Sequence, residues 1–381
     1  MARVLVLGGG FGGVSAATEL SRALGDDHEV ILVDRSSHFV MGLRKLWALV
    51  GLGRLEDGSR DLSLLRGQGI RFEPREILSI DPAGRGVTTD RGDLAANYLV
   101  VALGAEPRPD LVPGLAEHGH NVWAAAGVPA LKADLEAFDG GSIVIAIAGM
   151  PYTCPPAPFE CAMLLDDFLR ERGIRGRASI TVTTPKPILL PNAGVAGSEW
   201  LAEQLAARGI SYETGLEVKS VEEGTIDYGD DRLDFDLLIG VPPHRPPPVV
   251  AESALAGPRG WVSVDPGTFE TSHAGVFAIG DVTKVSLANG LPLPKAGVMA
   301  DLEGQRVAAA IAARVLGLEP PGLFDGRGFC FLEMSKSTAA LIEGSFYARP
   351  EPRVVIAGES EDHAGRKHRF EQERLERWFG G

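Results

Sequence analysis

The chain is poor in cysteine, has no excess of basic charge and carries no long apolar run, and each shortage removes a class of function. Three cysteines in 381 residues cannot build a disulfide framework, and a reducing compartment leaves them free unless they do chemistry. Basic residues are outnumbered, 37 Lys and Arg against 51 Asp and Glu for a formal net charge of -14. Nucleic acid is therefore not expected as a partner, since a phosphate backbone demands a basic surface. No apolar stretch reaches the roughly 18 to 20 residues needed to span a bilayer. The N-terminus, MARVLVLGGG, lacks the basic n-region and cleavage site of a standard export signal, which predicts a cytoplasmic protein. His118, His120 and His244 show no ligand-like spacing with cysteines or carboxylates, so no metal site is expected and all three read as loop histidines.

What is present is an alternation of apolar strands and helical stretches. With 45% hydrophobic residues, a chain of this length buries a large core and divides into two or three domains. RVLVLGGGFGGVSAATELSRAL followed by HEVILVD reads as strand, glycine turn, amphipathic helix and second strand, a βαβ unit beginning at residue 3. Later segments, YLVVALG at 98 to 104, SIVIAIAG at 142 to 149, ASITVTT at 178 to 184 and DLLIG at 236 to 240, predict parallel sheets covered by helices. Gly8, Gly10 and Gly13 form GxGxxG, where bare backbone admits a pyrophosphate to a helix N-terminus. Asp34 ends the second strand about 20 residues later, placed to accept from ribose hydroxyls. A tight glycine turn of any α/β protein is the plainer alternative; strand, helix, strand and acid together favour a dinucleotide.

A distant segment decides which dinucleotide. TSHAGVFAIGD at 271 to 281 ends in Gly280 and Asp281. Together with YLVVALGA at 98 to 105 and its Gly104, it resembles the FAD-binding signature of the two-dinucleotide-binding-domain, glutathione-reductase-like flavoproteins. The resemblance implies FAD, with Asp281 bonded to the flavin ribitol. It also implies an α/β fold of two Rossmann-like dinucleotide-binding domains plus a small C-terminal α+β region. Where a pyridine-nucleotide reductase carries a second glycine fingerprint, this chain has GMPYTCPPAPFECAMLL, and tyrosine, cysteine and prolines there disfavour tight NAD(P)H binding. Pro155, Pro156 and Pro158 open a helix that Gly173 closes. Cys154 thus precedes a helix N-terminus, whose dipole favours thiolate.

YTCPPAPFE, GDVTKVSLANGLPLPKAG and GFCFLEMSKSTAALIEGSFY narrow the resemblance to sulfide:quinone oxidoreductases and the flavoprotein subunit of flavocytochrome c sulfide dehydrogenases, from Gly8 to about Tyr347. By that resemblance Cys154 and Cys330 are the pair that flanks the flavin and accepts sulfur. Lys295 and Ala296 match the loop whose amides face the flavin pyrimidine edge, ahead of a helix that runs to Gly317. Glu160 is either a proton carrier beside that pair or a first-turn glutamate favoured by the helix dipole. Two features depart from the relatives. Residues 100 to 140 hold none of the further cysteine many sulfide:quinone oxidoreductases carry, and HFVMGLRK offers Met41 where sulfide dehydrogenases bind FAD through cysteine, so the FAD is expected to be non-covalent. Cys161, two helical turns beyond Cys154, reads as a small core residue.

The expected division is 1–105 with 245–320 for FAD, 106–244 for a second Rossmann-like domain with the redox cysteine, and 321–381 for a quinone or interface region. VPPHRPPPVV at 241 to 250 reads as a rigid connection between domains, since proline removes donors and fixes φ. The tail RKHRFEQERLERWFGG sets Phe370, Leu375, Trp378 and Phe379 on an amphipathic helix, either for peripheral contact with the cytoplasmic membrane face or as a docking or dimer helix. The resemblance implies oxidation of sulfide or a related sulfur species through Cys154 and Cys330, with electrons passing to a quinone or another acceptor. Two rivals stand beside it: a type II NADH:quinone dehydrogenase-like flavoenzyme, and a flavin-binding protein whose cysteines are structural.

Overall fold

A computed structural model describes residues 1–380. Five parallel strands form the first sheet, in the order Val276–Ala278, Tyr98–Val101, Arg3–Leu7, Glu29–Asp34 and Ile70–Pro74. Their apolar runs are buried on both faces, the arrangement a helix-covered parallel sheet requires. The helix Phe11–Leu24 follows the glycine turn and packs on helix Gly297–Leu316. Gly304 makes that contact close, since a Cβ there would stand 2.6 Å from the Gly12 carbonyl oxygen.

A second parallel sheet has the order Ser211–Thr214, Ala178–Thr184, Gly141–Ile147 and Leu237–Val241. Three of these strands fall where the apolar segments placed them, and Ser211–Thr214 is an exposed edge strand with no apolar run to mark it. The 241 to 250 run is not a plain connection, however. His244–Arg245 pairs antiparallel with Glu106–Pro107, and Pro248–Ala251 forms a helical turn. The two chain crossings between the sheets are thereby tied side by side, because only alternate residues of such a ribbon need a free N–H and proline can take the others.

The C-terminal region is an antiparallel sheet of Arg327–Glu333, Ala339–Ser345 and Arg353–Ser360, followed by helix Glu361–Phe379. Ser360 caps this helix, its side chain accepting from the His363 amide. The apolar face that the sequence offered to a membrane or partner is used within the chain: Phe370, Leu375, Trp378 and Phe379 are all buried. Trp378 meets Phe11 and Phe39 edge-on, both with ring centroids at 5.5 Å. On the same helix, Arg374 and Arg377 bind Asp301, which is fully buried and also accepts from Ser15 Oγ at 2.6 Å. Among the described residues no helix is long and apolar enough to cross a membrane.

Candidate active site

A cavity of ≈ 360 Å³ opens where the two sheets and the tail helix meet, within the size range of cofactor and ligand sites. Gly10, Gly104, Gly280, Asp281, Lys295 and Ala296 all line it. Gly8, Gly13 and Asp34 stand behind it and hold the turn. A Cβ on Gly13 would lie 1.8 Å from the Gly8 carbonyl oxygen, and Asp34 accepts from the Gly9 and Ser36 amides at 2.6 and 2.7 Å. At Gly10, by contrast, a Cβ would meet nothing within 4 Å, so backbone faces open space at the helix start. Asp281 Oδ1 is buried without a hydrogen-bond partner, and burial raises its carboxyl above the usual range. An orphaned acceptor of this kind is satisfied by a ligand hydroxyl, which is what a flavin ribitol offers. Helix Gly297–Leu316 starts at Ala296 without a side-chain cap, leaving its first amides for an electronegative ring edge. These residues fit FAD.

Cys154 and Cys330 both line the same cavity as free thiols, and Cys330 Sγ donates to the Phe331 carbonyl at 3.4 Å. The loop that carries Cys154 is held on three sides. Its own amide donates to the Lys295 carbonyl at 2.7 Å, Trp123 Nε1 donates to the Thr153 carbonyl at 2.9 Å, and the His244 amide donates to the Pro151 carbonyl at 2.7 Å. These ties keep Cys154 at φ 57°, a left-handed conformation that L residues other than glycine seldom adopt and that functional sites often retain. The neighbouring Cys330 thiol lowers the Cys154 thiol to about 7 against the opposition of burial, with help from Lys367 and Lys45. The Cys154 side chain and burial drive Cys330 the other way, well above an ordinary thiol. Of the two, Cys154 is thus the stronger acid. Cys161 is fully buried in the core and pushed up to about 12 by burial, so it is inert as a nucleophile.

Beside the thiols lies a buried ionic triad. Lys367 of the tail helix binds Glu160 and, at 2.8 Å, Glu333 of the C-terminal sheet. Glu160 Oε1 also accepts from the Glu333 amide at 3.1 Å, and Trp47 Nε1 donates to Glu333. All three charged groups are nearly inaccessible. Burial raises the Glu160 carboxyl well above its ordinary value, and the two carboxylates outweigh desolvation to raise Lys367. Glu160 is a first-turn helix residue that also lines the cavity.

Lys45, Trp47, Trp123, Glu333 and Lys367 carry no motif signal, because what selects them is tertiary contact. His244 is corrected from loop to buried strand: its Nδ1 pairs with the Pro242 carbonyl at 3.0 Å, and burial lowers it to about 4. In the turn after strand Gly141–Ile147, Pro243 atoms stand 2.7 Å from where a Gly149 Cβ would lie, and the buried Tyr152 donates to the Pro155 carbonyl. Four prolines between 151 and 158 remove amides a pyrophosphate would use.

The family model for pyridine nucleotide-disulphide oxidoreductases matches residues 2–300. The mitochondrial sulfide:quinone oxidoreductase of Mus musculus is 26% identical over 366 residues, covering 91% of this chain and 79% of that protein. The crystal structure of the sulfide:quinone oxidoreductase from Aquifex aeolicus superposes with a TM-score of 0.89 at 24% identity, covering all of this chain and 92% of the other. An alternative NAD(P)H-ubiquinone oxidoreductase of Arabidopsis thaliana is 25% identical over 365 residues, 82% of this chain and 68% of that protein. Fold, glycine turn and orphaned Asp281 agree with these matches: the chain belongs to the pyridine nucleotide-disulphide oxidoreductase family and is an FAD-dependent oxidoreductase similar to sulfide:quinone oxidoreductases.

Proposed function

We propose that the chain oxidises sulfide, or a related low-molecular-weight sulfur species, at Cys154 and Cys330 and passes the electrons through FAD to a quinone. The observation that carries the reading is the meeting of these two thiols, remote in sequence, in one cavity with opposite shifts in acidity. In the oxidised pair, hydrosulfide attacks Cys330 Sγ and the Cys154–Cys330 bond breaks. Cys330 gains the sulfur as a hydropersulfide and Cys154 leaves as thiolate, so atoms and charge balance. The direction follows from acidity, because the thiol of lower pKa is the better leaving group.

Bound by the glycine turn, Asp281 and the Lys295–Ala296 loop, FAD supplies two-electron acceptance and release. Quinone reduction takes up two protons as well as two electrons, and Glu160, whose carboxyl burial raises well above its ordinary value and which is bonded to Lys367, is the proton-carrying group proposed for it. Phe331 and Phe370 line the cavity beside this acid and also an outer groove with Phe329 and Arg366, which suits entry of an apolar ring. The FAD segments are proposed as 1–105 and 245–320, the redox-cysteine domain as 106–244, and the quinone region as 321–381.

Anaerobic exposure of the oxidised enzyme to sulfide, followed by alkylation and peptide mass mapping, tests the sulfur step. Cys330 heavier by one sulfur and Cys154 alkylated is the expected result. Turnover with quinone while both cysteines stay free of added sulfur overturns the proposal.

A further inference from the structure

Lys45 belongs to helix Arg44–Val50, which follows the first βαβ unit, and neither the glycine turn, the sulfur pair nor the buried triad accounts for it. Its side chain lines the active-site cavity together with Cys154 and Asp281. Among the described residues it has no carboxylate within 4.0 Å, unlike Lys367, which has two. Its recorded bond is to a neutral acceptor, the Trp123 carbonyl oxygen, at 2.7 Å. Trp123 in turn donates from its indole to the Thr153 carbonyl at 2.9 Å. Two hydrogen bonds therefore lead from the ammonium to the residue next to Cys154.

An ammonium partly withdrawn from water and without a counter-ion is costly to keep, and an anion formed beside it offsets that cost. Of the acidic groups lining the cavity, two act on Lys45. Asp281 is the carboxylate assigned to FAD, and burial raises its pKa, which weakens it as a permanent partner. Cys154 is the other, and its charge appears during the reaction.

We propose that Lys45 is the positioning residue that holds Cys154 as thiolate: its ammonium is the counter-ion of the sulfur anion, and its bond to Trp123 ties it to the loop that carries Cys154. The inference rests on the reading that Cys154 works as a thiolate. The groups facing Cys154 are Cys330 of the C-terminal sheet, Lys367 of the tail helix, Glu160 of the helix that follows, Tyr152 and Lys45 itself. Those facing Lys45 are Cys154 and Asp281, with neutral His244 also within its field.

The FAD-loaded, reduced enzyme is alkylated with iodoacetamide across pH, and the Cys154 peptide is followed by mass. In Lys45→Gln the amide can still donate to Trp123 but the charge is gone, so the midpoint is expected to move up by about one pH unit, or about tenfold slower alkylation below it. Lys45→Arg, which keeps the charge, is expected to stay close to wild type. A midpoint unmoved in Lys45→Gln, with FAD content and thermal stability retained, overturns the inference. A second measurement needs no change at Lys45: competitive acetylation of its amine across pH is expected to show an earlier titration in Cys154→Ser than in wild type, and identical titrations overturn it. If sulfide adds no sulfur to wild type while the Lys45→Gln shift remains, the sulfur reading fails and the counter-ion stands. If sulfur adds and the shift is absent, only the counter-ion fails.

Discussion

Cys154 is surrounded by influences of both signs, and the sum sets what the residue can do. Burial alone makes a cysteine inert, as it does for Cys161; a thiol donor and two lysines reverse that for Cys154. Glu303 shows the same physics without compensation. It accepts from the Gly280 amide at 2.6 Å, yet burial raises it from 4.5 to about 8. A carboxyl whose folded pKa is raised favours the fold while neutral, so this stabilisation is lost as pH climbs from about 4.5 to 8. Glu303→Gln keeps an acceptor for Gly280 and removes the titration. Its thermal midpoint relative to wild type is expected to rise, by on the order of a few degrees, between acid and mildly alkaline pH. Parallel melting curves for the two proteins across that range check it. Gly13→Ala is expected to prevent FAD retention and destabilise the fold, because its Cβ would collide with the Gly8 carbonyl, and flavin content after purification reads it directly.

Elements that are distant in sequence are fastened by a few buried groups. The tail helix is joined to the first helix and the strand His38–Val40 by Trp378 against Phe11 and Phe39, and to helix Gly297–Leu316 by Arg374 and Arg377 on Asp301. Asp301→Ala leaves two guanidinium groups without their buried carboxylate, and a loss of about 3 kcal/mol is expected in chemical denaturation. Trp378→Ala removes a fully buried ring and is expected to cost about 3 to 5 kcal/mol. Since Lys367 sits on the same helix, both changes are also expected to slow turnover with quinone more than binding of FAD. Equal losses of the two would contradict this division.

At the scale of the molecule, legibility followed the range of the interaction. Glycine turns are local, so the spacing of Gly8, Gly10 and Gly13 pointed to a dinucleotide, while Gly280 and Asp281 pointed to FAD by resemblance. The meeting of Cys154 with Cys330 was legible by family resemblance alone, because nothing in periodicity brings a loop of one sheet to a strand of another. Lys367, set among charges in RKHRFEQER, reads as a solvated residue and is buried. The tail's amphipathic pattern was plain, but a pattern names a face and not what covers it. Because the cavity that would hold FAD is lined by residues following strands of both sheets and by Lys367 and Phe370 of the tail helix, FAD removal is expected to lower the thermal midpoint of the whole chain, and added FAD to restore it as its concentration rises above Kd. An unchanged midpoint in the apoprotein would mean the cavity is held open by the protein alone.

Anaerobic titration with sulfide, following the visible flavin band, is the most direct test that these two cysteines feed the cofactor. Wild type is expected to bleach with a two-electron endpoint, and Cys154→Ser and Cys330→Ser to stay oxidised while retaining FAD. Bleaching of either variant at the wild-type rate, or bleaching of wild type by NADH and not by sulfide, would contradict it.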